Sequence, residues 1–268
     1  MPTYALLGAT GATGSAVLRN LLEQPPKYLR LRILVRNKPK LMKSFPNLES
    51  SPPFPISVNE GSLSDGVALR TCLEGANAIL QCVGSNQSRP GTTITFDTTA
   101  SIIQALRDLR EAQGNKYITP TILQLRAAPM NKALAAHESW ITSWIVGFLM
   151  WFCLGYVFAD HKRATELLES TVAETPGLLE YIFLDPPGTM DPDGTTPTGY
   201  QLVITEKMGM GISFADLGVA ICEVAERRDA FRGKGVGMYG TGEINMTWQL
   251  NVRYLIDGAK ARVLGWVR

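Results

Sequence analysis

The run Gly8-Ala9-Thr10-Gly11-Ala12-Thr13-Gly14 is the sharpest chemical feature of the sequence. It follows the apolar run Tyr4-Ala5-Leu6-Leu7 and opens a helical stretch that carries Val17, Leu18, Leu21 and Leu22 on one side and stops before Pro25-Pro26. A pyrophosphate is held by backbone N–H groups and the positive end of a helix, and that close approach requires residues without bulk. The glycine spacing alone is weak, but strand, glycine turn and helix in succession make a dinucleotide site. Gly8, Thr10, Gly11, Ala12, Thr13 and Gly14 are its candidate ligands. The competing reading is a glycine turn that binds nothing.

A second candidate follows the apolar run Leu31-Arg32-Ile33-Leu34-Val35. A dinucleotide fold that selects NAD puts Asp or Glu there, to take the ribose hydroxyls. Here the run ends in Arg36-Asn37-Lys38-Pro39-Lys40. A guanidinium at that point suits a 2′-phosphate, which Arg pairs with bidentately. Arg36 and Lys40 therefore favour NADP, against a basic loop that merely faces water.

These motifs resemble those of the NmrA-like, atypical short-chain dehydrogenase/reductase family. The resemblance also rests on Val35-Arg36-Asn37, on Glu60-Gly61-Ser62-Leu63-Ser64-Asp65 and on Ser213-Phe214-Ala215-Asp216-Leu217-Gly218, so it covers most of the chain. Within the family the sequence is most similar to the fungal averufin-oxidase-like oxidoreductases of aromatic polyketide biosynthesis. The resemblance implies that Ser62 and Leu63 border the adenine and that Val83 and Gly84 border the nicotinamide side. It is specific for fold and cofactor and weak for substrate.

In the wider superfamily a Ser, a Tyr and a Lys four residues after the Tyr protonate the forming alkoxide while hydride arrives. Lys162, with Glu166 four residues on, matches the Lys and following Glu of these relatives. Four residues before Lys162 stands Phe158, which has no proton to give, and Gln124-Leu125-Arg126-Ala127-Ala128 offers no hydroxyl at the Ser position. Tyr156, His161 and Lys162 are the remaining candidates for proton transfer or polarisation, with Lys162 also a candidate for holding the cofactor ribose. Tyr156 and His161 differ by five residues, so on one straight helix they do not closely share a face.

To position these groups the chain alternates β-rich and helical stretches. Further strands are expected at Pro55 to Val58, Ala78 to Val83, Thr121 to Leu125 and Glu180 to Leu184, with helices from Asp65 as N-cap to Leu73, from Ile94 to Leu109 and from about Asp160 to Thr171. Apolar strands alternating with helices indicate a parallel sheet buried on both faces. The fold class is thus α/β, a Rossmann-type doubly wound sheet. After the Pro- and Gly-rich stretch from Asp185 to Gly199, a strand from Tyr200 to Thr205, a helix from Phe214 to Arg227 opened by Ser213, and a last helix from Thr247 to Ala261 read as a small C-terminal substrate lobe. The expected organisation is one domain over 1–268, with a nucleotide part over about 1–128 and the lobe over about 185–268.

The most unusual segment is Ser139 to Ala159, which has no Asp, Glu, Lys or Arg and 16 apolar residues in 21. Its length meets the threshold for a membrane-spanning helix. The flanking strands must pair in one sheet, so a single crossing would put them on opposite sides of a bilayer. The leading expectation is a cap over an apolar substrate or a buried interface, with peripheral membrane contact as the alternative.

Composition limits the remaining function classes. A formal charge of +2 gives no electrostatic case for nucleic acid. Cys72, Cys82, Cys153 and Cys222 show no C-x-x-C spacing and His137 and His161 are the only histidines, so reduced core thiols are expected rather than a metal site. Met1-Pro2-Thr3-Tyr4 runs straight into a strand without a leader pattern, and the expectation is cytoplasmic. The leading functional expectation is an NADP-dependent oxidoreductase acting on a hydrophobic, aromatic polyketide-type molecule. The alternatives are a non-redox isomerase, dehydratase or ring-opening enzyme on the same fold, and an NADP-sensing regulator; oligomeric state is not read from the sequence.

Overall fold

The computed structural model describes residues 1–137, 140–191, 194–243 and 248–266, with the side chains of 140–143, 248–250 and 266 left aside. Ser139 and Thr247, named above as segment bounds, lie outside the described residues, as do Pro192 and the side chain of Trp140.

In chain order the elements are β1 (Thr3–Leu7), α1 (Ala12–Glu23), β2 (Arg30–Val35), α2 (Lys38–Ser44), β3 (Ile56–Glu60), α3 (Gly66–Leu73), β4 (Ala78–Gln81), α4 (Ile94–Gln113), β5 (Thr121–Leu125), α5 (Lys132–Ala135) and α6 (Trp140–Glu174). There follow β6 (Glu180–Asp185), β7 (Gly188–Met190), β8 (Tyr200–Val203), β9 (Gly211–Ser213), α7 (Phe214–Glu226), α8 (Arg228–Phe231), β10 (Gly235–Gly240) and α9 (Trp248–Trp266). The main sheet has the order β3-β2-β1-β4-β5-β6-β10-β8, parallel except for the edge strand β8. The chain reverses its direction of winding between β1 and β4, the crevice where such sheets bind ligands at their carboxyl ends.

Strand alternation divides the core between two faces. Leu6, Ile33, Leu80, Leu123 and Ile182 pack with Val17, Leu18 and Leu21 of α1 and Leu217 and Ile221 of α7. Ala5, Leu7, Ile79, Ile122 and Phe183 pack against Leu69 and Leu73 of α3, Ile102 and Leu106 of α4, and Leu168 of α6. Gly218 lets α7 lie directly on α1, because a Cβ there would come within 2.7 Å of the Ala16 carbonyl oxygen.

Caps fix where the helices begin. Asp65 Oδ1 accepts from Val67 N at 3.0 Å and Ala68 N at 3.1 Å, as its sequence position predicts, and Ser213 Oγ accepts from Asp216 N at 2.9 Å. No side chain of its own caps α4. Asp160, brought over by α6, accepts from Thr95 N and Phe96 N at 2.9 Å each.

Three expectations need correction. The apolar segment and the predicted helix from Asp160 form one continuous helix of 35 residues, since nothing between Trp140 and Glu174 breaks it: Gly147 and Gly155 are tolerated inside it. Lys38-Pro39-Lys40 is not a loop but the first turn of α2, capped by Asn37 Oδ1 accepting from Lys40 N at 2.8 Å. Strand β4 ends at Gln81, before Cys82 and Val83. The stretch after Asp185 adds β10 and β8 to the main sheet; β7 and β9 form a separate two-stranded sheet, and α9 packs on α6.

Candidate functional site

The glycine run turns at the end of β1. Gly8 has φ of 88°, which favours glycine, and a Cβ there would stand 2.7 Å from the Cys82 carbonyl oxygen. Gly11 N donates to Gly8 O at 2.9 Å, closing the turn, and a Cβ on the buried Gly14 would collide with that same carbonyl. Gly11 and Ala12 are exposed, and no side chain caps α1. The first N–H groups of α1 are therefore open at the carboxyl edge of the sheet, a cradle that fits a dinucleotide pyrophosphate.

Arg36 directly follows β2, whose residues Arg30 to Leu34 pair with β1. It is exposed and makes no ion pair among the described residues. The neighbouring carboxylate is already engaged: Glu60 Oε1 accepts from Lys38 N at 3.1 Å. Lys40 is exposed in the first turn of α2. Ser62 is exposed after β3, its Oγ within 2.9 Å of Ser64 Oγ, while Leu63 packs on the α3 side of the core. Val83 is half-buried against Gly8, and Gly84 is exposed.

Three candidates on α6 diverge. His161 Nδ1 lies 3.2 Å from the Leu125 carbonyl oxygen at the end of β5. A carbonyl can only accept, so Nδ1 carries the proton and Nε2 keeps the lone pair of a neutral ring. Burial lowers the His161 pKa below its ordinary value; the Asp160 charge and the Leu125 hydrogen bond oppose this in part. Lys162 turns the other way, exposed and 3.8 Å from Glu166, into a cavity of about 620 Å³ that Phe158, Arg126, Met130 and Asn131 also line. Tyr156 faces neither: its backbone N donates to Ser88 Oγ at 3.2 Å and its ring lies under the Arg262 guanidinium at 5.0 Å, on the α9 side. The cavity is bordered by neither the glycine run nor Val83 and Gly84, and among the described residues of the apolar segment only Phe158 and Ala159 reach it.

Two polar clusters at this edge escaped sequence reasoning. Arg126, at the missing Ser position, forms a bidentate pair with the buried Asp185, joined by Asn131. Below it, Gln81 and Gln124, register partners on β4 and β5, meet at Thr99 of α4: Gln81 Nε2 donates to Thr99 Oγ1 at 3.2 Å, and Thr99 Oγ1 lies 2.8 Å from Gln124 Oε1. The signal was present, since each Gln is the lone amide in an apolar strand near its carboxyl end.

Comparison with known proteins fits this geometry. Residues 8–228 match the family model described as NAD(P)H-binding. The chain is 44% identical to averufin oxidase A from Aspergillus flavus over 98% of this chain and 91% of that one. The chain belongs to the averufin oxidase family of NAD(P)H-binding oxidoreductases. Averufin oxidase stcO from Emericella nidulans is another relative, 40% identical over 96% of this chain and 89% of that one. Among solved structures, a short-chain dehydrogenase/reductase from Veillonella parvula in complex with NADP superposes with a TM-score of 0.60 at 19% identity, over 90% of this chain and 95% of that one. This averufin oxidase relative is thus an NAD(P)-dependent oxidoreductase of secondary metabolism, with the doubly wound sheet that its sequence pattern implies.

Proposed function

We propose that this oxidoreductase uses NADP(H) and acts on a hydrophobic, aromatic polyketide-type molecule at the carboxyl edge of its sheet. The observation that carries the reading is topological. Parallel strands β1, β2, β3 and β5 end at the same edge, and from those ends come the open α1 turn, the exposed guanidinium of Arg36, the exposed Ser62 and the carbonyl that holds His161. The kinship with proteins named averufin oxidases supports the substrate class.

The nicotinamide cofactor supplies hydride acceptance or donation. The chain's own residues do the rest. The α1 N-terminus and Gly11 bind the pyrophosphate, and Arg36, with Lys40, pairs with the 2′-phosphate. Ser62 and Leu63 border the adenine, and Val83 and Gly84 the nicotinamide side. His161, neutral at pH 7, accepts the substrate hydroxyl proton on Nε2 in the oxidising direction and returns it in the reducing one, in place of the phenol that Phe158 cannot supply. Lys162 donates hydrogen bonds to ribose or substrate oxygens. Tyr156, turned toward α9, has no part in this scheme.

The test mixes purified protein with NADP(H) or NAD(H) and a panel of aromatic polyketides, and follows nicotinamide absorbance together with product mass. Turnover with NADP(H) and a product differing by two hydrogens is the expected result. Product formed without nicotinamide turnover would make the chain a non-redox enzyme, and tight NADPH binding with no product would make it a sensor.

A further inference from the structure

Along one stripe of α6, residues at helical spacing change character abruptly. Trp144, Phe148, Trp151, Gly155 and Phe158 lead into Lys162, Glu166 and Glu169 on the same face. A helix that met only water along this stripe would be polar throughout. Its amino-terminal half instead exposes Trp144 (68%), Ile145, Phe148, Leu149 and Trp151 (54%), with Phe148 stacked between Trp144 and Phe152 at centroid distances of 6.0 and 5.9 Å. Helix α9 packs on this half: Gly258 meets Cys153, and Arg262 lies over the rings of Trp151 and Tyr156 at 4.9 and 5.0 Å. It adds Val252, Ile256, Val263 and Leu264 to the exposed apolar surface.

We propose that this α6–α9 face is a membrane-docking surface that inserts into one leaflet of an anionic lipid bilayer. Depth supports one leaflet. From Trp144 to Gly155 the helix rises roughly 16 Å, against about 15 Å for half of a hydrocarbon core. The charged half of the stripe begins directly beyond, and β5 and β6 on either side of α6 pair in one sheet, so the helix does not cross. Charge supports lipid. The segment from Ser139 to Ala159 carries no charged residue, whereas its border on α9 carries Arg253, Lys260 and Arg262 against one acid, Asp257. Beside the apolar surface lies a cavity of about 300 Å³ lined by Ser88, Arg89, Arg253, Tyr254 and Asp257; Arg253 stands 3.8 Å from Asp257, and the exposed Arg89 is the guanidinium open to a headgroup phosphate. Aromatic rings at such a boundary are at home in the headgroup region. The reading depends on neither cofactor nor substrate.

The experiment is flotation of the full chain with phosphatidylcholine vesicles, with and without phosphatidylserine, while tryptophan emission is recorded. Binding to the serine-containing vesicles at least tenfold above that to phosphatidylcholine alone, with a blue shift, is expected, and 0.5 M salt should reduce it severalfold. Phe148→Glu should abolish flotation while NADPH binding and thermal unfolding stay unchanged. Should that variant not fold, the pair Arg89→Glu and Arg253→Glu, on exposed side chains, should remove the preference for phosphatidylserine. Failure to bind either vesicle overturns the proposal. So does a wild-type dimer that Phe148→Glu converts to monomer without vesicle binding, which would assign the surface to a second copy of the chain.

Discussion

Arg126 clasps Asp185 with two parallel hydrogen bonds, Nε to Oδ1 and Nη2 to Oδ2, both 2.7 Å, across the carboxyl ends of β5 and β6. The carboxylate is fully buried and takes a third bond from Asn131 Nδ2 at 2.8 Å. Burial raises the Asp185 pKa, and the Arg126 and Asn131 hydrogen bonds only partly offset it. Such a pair is costly to halve and cheap to replace whole. Asp185→Ala should lose about 3–5 kcal/mol in urea unfolding, because the Arg126 charge is left buried without its carboxylate. Arg126→Met combined with Asp185→Leu should lose clearly less than either single change; a double variant as weak as the sum of the singles would refute the argument.

The glycine run separates a folding requirement from a binding one. A Cβ on buried Gly14 collides with the Gly8 carbonyl, so Gly14→Ala should lower Tm by several degrees. Gly11 is exposed and its added Cβ would meet only Gly8 O at 3.4 Å, an ordinary contact. Gly11→Ala should therefore keep the wild-type Tm yet weaken NADPH binding about tenfold or more, since the methyl occupies the approach to the α1 N–H groups. Isothermal titration beside thermal unfolding distinguishes the two; loss of stability in Gly11→Ala would remove the distinction.

Strand-forming residues reveal the sheet because parallel strands buried on both faces are apolar without interruption, as in Tyr4 to Leu7 and Thr121 to Leu125. Strand β10 is absent from the expected strands, because Gly235, Gly237 and Gly240 interrupt its apolar pattern. The glycine at 235 is there for a long-range reason: a Cβ would collide with the Arg126, Asn131 and Asp185 side chains, which lie far away in sequence. The continuity of α6 escaped for a related reason. A change from apolar to charged composition at Asp160 looks like an element boundary, whereas it marks a change in what one helix faces. At the site, Gly8 to Gly14 were legible because a motif of local backbone geometry needs no tertiary information. The opposite directions of Tyr156 and Lys162 depend on where α9 packs, which no spacing rule contains.

Arg36 stands after β2 without an ion pair among the described residues, while Glu60 is turned to the Lys38 backbone. If its guanidinium takes the 2′-phosphate, Arg36→Ala removes a charge-assisted hydrogen bond worth about 1.5–3 kcal/mol, roughly tenfold to a hundredfold in NADPH affinity. NADH affinity should change less than twofold. Fluorescence titration of both cofactors checks the difference, and equal weakening would contradict the assignment.

His161 supplies a pH signature. Its folded pKa lies below the ordinary 6.5, with burial the largest cause. Between those two values the unfolded chain holds a proton that the folded chain does not, so stability rises with pH across the window, by at most about 1.4 kcal/mol per pH unit. The contribution is complete above pH 6.5 and is lost as pH falls through the folded value. Wild-type Tm should accordingly drop on acidification below pH 6.5 more steeply than that of His161→Gln, whose amide cannot be protonated in this range. The kinetic counterpart has the same sign: as a base, His161 is active when neutral, so the acidic limb of kcat/KM for substrate oxidation should fall below pH 6.5. His161→Gln should lower kcat about a hundredfold or more and flatten that limb. A variant with wild-type kcat and an unchanged profile would leave His161 a structural residue.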